Sequence, residues 1–271
     1  MNKLALIAFV ALFALAFSAT IGVVSPVAQA VSDNGSIYIG RVGPGQTFSF
    51  AVEPKVPTGG VHNIGGRWDQ MLVSRVPEGW KSRDAKVYAD PLQAEVTVSA
   101  LAQNGKYEVV ATVVDEGDLE KIGKSIAFRA IVDVDSNVVN MDIAKKSITT
   151  GAGQPARYEI TITNTGMADD VFEISTSGIK DWEFRRRVYV GAGASKTITY
   201  EVVGQEEGEY DVNVNCASTS SLLITKSENI HLSVNTDLIS DYKASTHGLL
   251  LFPLLEQPVY SIMGLISNLF Q

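Results

Sequence analysis

Tyr158-Glu159-Ile160-Thr161-Ile162-Thr163-Asn164-Thr165-Gly166 decides the fold. Apolar and polar residues alternate up to Asn164, the period of a strand with one buried face, and Asn-x-Gly is turn chemistry. The same grammar continues outward. Val171-Phe172-Glu173-Ile174 follows, then Ile198-Thr199-Tyr200-Glu201-Val202, then Tyr210-Asp211-Val212-Asn213-Val214-Asn215-Cys216. The breaks fall at Gly191-Ala192-Gly193 and Gly208-Glu209. Half-buried antiparallel strands joined by glycine turns are expected from Arg157 to Ala217.

An earlier part of the chain repeats this plan. Gly45-Gln46-Thr47-Phe48 aligns with Gly153-Gln154-Pro155-Ala156, and Pro77-Glu78-Gly79-Trp80 with Ile179-Lys180-Asp181-Trp182. Gly105-Lys106-Tyr107-Glu108-Val109 aligns with Gly208-Glu209-Tyr210-Asp211-Val212, and Lys124-Ser125-Ile126 more loosely with Lys226-Ser227-Glu228. Spacings near one hundred residues mean a duplicated domain rather than a short solenoid repeat. The expected fold class is all-β, two tandem β-sandwiches at 33–135 and 138–237. Trp80 and Trp182 read as core aromatics. Tyr107 and Tyr210 read as buried rings whose hydroxyls need backbone partners at a corner. Cys216 is in phase with Val212 and Val214 and should point inward.

Four features of the second half resemble the NEW3 and CARDB class of archaeal and bacterial surface domains: Asn164-Thr165-Gly166, Gly178 to Trp182, Gly191-Ala192-Gly193 before a Thr-rich strand, and Gly208-Glu209-Tyr210. The resemblance implies an immunoglobulin-like sandwich in an exported, cell-surface or membrane-anchored protein, and no single activity. The first half departs from it, with Glu53-Pro54-Lys55 where the Asn-x-Gly turn should stand.

Both ends differ from the middle. Met1-Asn2-Lys3, the apolar run from Leu4 to Ile21 and Ala28-Gln29-Ala30 read as a signal helix, residues 1–30, cleaved after Ala30. The competing reading is an uncleaved anchor, because the apolar run is nearly the length of a span. Either way the folded part faces outside. Asn34-Gly35-Ser36 is a glycosylation sequon beside that end. Residues 238–271 form a linker and an apolar, partly helical tail. Leu250 and Phe252 precede Pro253, and Ile262, Met263, Ile266 and Phe270 fall at helical spacing. Membrane contact, docking on an envelope partner and packing on the chain itself compete there. The first two are favoured, because exposed apolar surface marks interaction sites.

Composition narrows the partners. The net charge is −8, which argues against nucleic acid, since phosphate binding needs clustered Lys and Arg. One cysteine excludes an intrachain disulfide. The three histidines, His62, His231 and His247, lie at no zinc-site spacing, and no nucleophile elbow or phosphate loop occurs. No cofactor or metal is expected, and no enzyme. Asp115-Glu116-Gly117-Asp118-Leu119-Glu120 reads as a solvated acidic turn rather than a calcium loop. The breaker-rich stretch from Lys55 to Trp68 has no counterpart in the second half. It reads either as a binding loop, with Lys55, His62, Asn63, Arg67 and Trp68 as its candidate residues, or as a hairpin covering a sandwich end. The expected function is that of a structural or adhesive surface protein working by protein contact. The rivals are a carbohydrate-binding module taking a surface glycan on Trp68, and an accessory subunit of an envelope complex.

Overall fold

The computed structural model describes residues 20–179, 182–204 and 206–235. They divide into two compact units, one built on the chain up to Ser136 with Gly166–Asp169, the other on Asn137–Thr165 and the chain from Asp170. Among the described residues the architecture is all-β, relieved by a single 3-10 turn at Glu116–Asp118.

The first unit contains β1 (Thr20–Ser25), β2 (Gln29–Ser32), β3 (Gly35–Val42), β4 (Thr47–Val52), β5 (Lys55–Val56), β6 (Gly66–Arg67), β7 (Gln70–Arg75), β8 (Lys81–Arg83), β9 (Leu92–Thr97), β10 (Gly105–Val114) and β11 (Ser125–Val134). Strands β2-β1-β4-β9-β8 form one sheet and β3-β11-β10-β7 the other, while β5 and β6 make a separate hairpin. The inward residues of both sheets form one core. Phe50 stacks edge-on against Phe128 at 6.0 Å, and Phe48 against Trp80 at 6.5 Å.

The second unit contains β12 (Val139–Ile143), β13 (Ser147–Thr150), β14 (Pro155–Asn164), β15 (Asp170–Ser177), β16 (Arg185–Val190), β17 (Ser195–Val203), β18 (Gly208–Ser218) and β19 (Thr225–Val234). Its sheets run β12-β14-β17 and β13-β19-β18-β15-β16. Both units therefore share an immunoglobulin-like plan. An opening strand (β1, β12) pairs antiparallel with a later strand of its own sheet (β4, β14). A strand between those two in the chain (β3, β13) lies in the other sheet and runs parallel to the last (β11, β19).

The repeated motifs carry repeated geometry. Gly45 and Gly153 take positive φ values of 72° and 75°, as a turn into a strand requires. Gln46 and Gln154 then donate backbone hydrogen bonds to Gly43 and Gly151. Tyr107 and Tyr210 each donate a hydroxyl hydrogen bond of 3.0 Å to a carbonyl four residues upstream, at Gln103 and Glu206. These are tyrosine corners with half-buried rings, because the corner that receives the hydroxyl lies at the sandwich rim. Trp80 is buried and Trp182 only partly so. Where Phe50 fills the first core, Tyr158 fills the second, and its hydroxyl crosses to the opposite sheet to donate 2.8 Å to the carbonyl of His231. Cys216 is fully buried, and burial with the nearby Asp170 charge pushes its thiol up to about 12.

The N-terminal boundary needs correcting. The first sandwich begins at Thr20, not at Asp33, and the Ala30 boundary falls inside β2. Ile21 and Val23 are 1% and 2% exposed and belong to the core. Glu53 donates its backbone N–H to Gly22 at 2.7 Å, tying β1 to the end of β4. The apolar run hid this strand, because Ile21 and Val23 extend the hydrophobicity of Leu4 onward past only the small residues Ser18, Thr20 and Gly22. Residues 1–19 of the expected signal helix and the tail residues Leu250, Phe252, Ile262, Met263, Ile266 and Phe270 lie outside the described residues. No helix among the described residues is long and apolar enough to cross a membrane.

Candidate functional site

The stretch from Lys55 to Arg67 is a hairpin, β5 with β6, placed between β4 and β7. Its base is structural. Lys55 pairs with Asp90 at 2.8 Å, and their hydrogen bond raises the lysine pKa and lowers the carboxyl's. The Arg67 guanidinium donates to the carbonyls of Tyr88 and Ala89 at 2.6 and 2.9 Å. Trp68 is 1% exposed, so the expectation that it presents a ring to a ligand is overturned. A large apolar ring gains more from core contact than from water. Of the residues expected to bind, Lys55, His62 and Asn63 are exposed, Lys55 at the base and the other two at the tip. Beside them stand Val61 and Ile64, 59% and 82% exposed. The expectation for this loop missed both.

A second loop packs alongside. Asp69 Oδ2 accepts the backbone N–H of Glu116 at 2.7 Å, and Asp69 N donates to Val114 O at 3.0 Å. Asp115 Oδ1 accepts from Leu119 and Glu120 at 3.1 and 3.3 Å, which shapes the 115–124 turn. The two loops touch so closely that a Cβ on Gly66 would stand 2.5 Å from Ile122 Cγ2. In an immunoglobulin sandwich these are the loops between the second and third strands and between the last two, which share one end. Leu119 adds a third exposed apolar side chain there, at 75% exposure. Glu116 and Glu120 are exposed beside it. The acidic turn is thus partly a scaffold, through buried Asp115, and partly a solvated rim. Among the described residues no group of three His, Cys, Asp or Glu side chains is placed to hold a metal ion. The arrangement offers three exposed apolar side chains on adjoining loops, with Glu116 and Glu120 beside Leu119.

His231 stands elsewhere, on the exposed face of β19. Its Nδ1 lies 2.8 Å from Asp211 and its Nε2 2.7 Å from Glu209. The hydrogen bond to Asp211 raises its pKa above 6.5 against the opposing desolvation of the ring, and the Glu209 bond and both negative charges add to the rise. The folded state thus favours the imidazolium. Its stabilisation is complete below about 6.5, the unfolded value, and is lost as pH rises through the higher folded value. Proton NMR of the ring should give a midpoint above 6.5 in the native chain, moving back toward it in Asp211→Asn. A native midpoint at or below 6.5 contradicts the pairing.

No family model matches the chain, and no curated protein matches it. Solved structures do resemble it. A CARDB domain from Pyrococcus furiosus, solved with di-metal ions, is 16% identical, with 37% of this chain and 93% of that one covered and a TM-score of 0.30. A PapD-like domain of human CEP192 is 15% identical, with 38% and 88% covered and a TM-score of 0.27. A chimeric titin Z1Z2 is 12% identical, with 81% and 100% covered and a TM-score of 0.35.

Proposed function

We propose that this is an exported surface or membrane-associated protein of the NEW3 and CARDB kind that acts by protein contact and carries no catalytic site. The contact surface is the loop end of the first sandwich, where Val61, Ile64 and Leu119 project. The exposure of these side chains on anchored loops carries the reading. Isolated exposed apolar residues are ordinary, but three on adjoining loops of one sandwich end form a patch of the kind that partners bury. The apolar tail from Leu250 to Phe270 holds the chain at the membrane or in an envelope assembly. The glycan rival loses its platform with Trp68 in the core.

Binding of the purified fluorescent chain to the surface of cells that produce it tests this. Val61→Ser, Ile64→Ser and Leu119→Ser together should leave the unfolding temperature within a degree or so and weaken binding roughly tenfold or more. Undiminished binding by the triple variant removes the loop end from consideration. Loss of binding after periodate treatment of the cells, with protease treatment harmless, supports the glycan reading instead.

A further inference from the structure

We infer that the exported chain is cut between Ser18 and Ala19, ahead of β1, so that Ala28-Gln29-Ala30 stays in the mature protein; this rests on the export reading above. Hydrolysis there adds water across the Ser18–Ala19 peptide bond, leaving a carboxylate on Ser18 and a free amine on Ala19.

The folded unit requires the residues that a cut after Ala30 would discard. Ile21 and Val23 are 1% and 2% exposed. β1 is also the central link of its sheet edge, hydrogen-bonded to β2 on one side and β4 on the other. Gly22 stands opposite Ala30 and Val23 opposite Gln29 in that antiparallel register. The Ala30–Val31 bond therefore lies within a formed hairpin, and Val31 itself is 3% exposed. A cut there would separate Val31 and Ser32 from Ile21 and Thr20, the residues they pair with.

The duplication supplies an independent argument. In the second unit β12 occupies the slot beside β14 that β1 occupies beside β4. In both units this opening strand precedes the one that crosses to run parallel with the last. A chain beginning at Val31 would have one complete sandwich and one lacking its opening strand. Nothing in the plan of the two units prepares the first for that loss.

The leader also reads better with the earlier cut. After Met1-Asn2-Lys3, the run from Leu4 to Leu15 falls within the roughly 7–15 residues of an apolar signal core. Ala16 and Ser18 then supply the small residues three before and one before the cut, and Ser18 is the first polar residue after Lys3. Of the run from Leu4 to Ile21 that resembled an anchor, the last two residues, Thr20 and Ile21, belong to β1.

The test uses the full chain with a C-terminal affinity tag in a bacterial secretory host, and reads intact mass and N-terminal sequence in each cell fraction. The exported wild type should begin at Ala19. Ala16→Trp places a bulky side chain three before this cut and one before the neighbouring Ala14-Leu15-Ala16 alternative, so processing cannot slip by two residues. It should reduce processed chain at least tenfold. Ala30→Trp, at an exposed position on the outer strand β2, should be processed like the wild type. An exported chain beginning at Val31, blocked by Ala30→Trp and not by Ala16→Trp, overturns the site and leaves the export reading standing. A full-length chain found only in the cytoplasm overturns both.

Discussion

A chain beginning at Val31 should lose cooperative unfolding of its first sandwich, while one beginning at Ala19 keeps it. Deleting β1 removes Ile21 and Val23 from the core. Each fully buried side chain of this size contributes about 1.5–3 kcal/mol, so the pair accounts for about 3–6 kcal/mol. Whole domains are stable by only about 5–15 kcal/mol. The loss is compounded at the backbone. β4 would present its outer edge to water along Ala51 and Val52, residues whose side chains are buried in the native sheet. A bare edge of that kind is also a template for pairing with another chain, so the shortened protein should aggregate. Urea unfolding followed by circular dichroism reads the result. The second sandwich keeps all its strands and should unfold as before. If the Val31 chain shows both transitions unshifted, β1 is dispensable and the boundary belongs where the sequence first suggested it.

The second large effect is expected at Trp68. Trp68→Ala should destabilise the first sandwich by about 3–5 kcal/mol, the range for removing a large ring from a core. Trp68→Phe should cost less, about 1–2 kcal/mol, and the difference is informative. The indole Nε1 is buried without a hydrogen-bond partner, and a buried unmade hydrogen bond is itself unfavourable. Phenylalanine retains most of the apolar contact and removes that donor. Denaturant midpoints of the three proteins distinguish the roles. An alanine variant as stable as the wild type, with altered binding, would return Trp68 to the surface and revive its reading as a stacking platform.

Trp68 and β1 also mark where sequence reasoning stops. Alternation in Tyr158 to Thr163 and in Tyr210 to Cys216 identifies strands and their inward faces, because side chains on a pleated strand alternate by geometry alone. The tyrosine corners were legible for the same reason: a Gly-x-Tyr entry and a hydroxyl needing a partner describe a local arrangement. The site was less legible. Lys55, Arg67 and Trp68 look available in a breaker-rich stretch, yet their partners, Asp90, the Tyr88 and Ala89 carbonyls and the core, lie far along the chain or across the fold. Val61, Ile64 and Leu119 carry no local mark of exposure. Apolar residues in turns are as often tucked under as displayed.

From its sequence alone, then, this protein is all-β, duplicated, acidic and short of disulfides, because periodicity, repeat spacing and composition are local or summed properties of the chain. Only the tertiary structure decided that Thr20–Ser25 is a strand rather than the end of a leader. Only it brought the β5–β6 hairpin and the 115–124 turn to one end of one sandwich. The physical reason is common to both. Hydrophobicity states that a residue leaves water, whereas pairing between distant strands determines what it leaves water for.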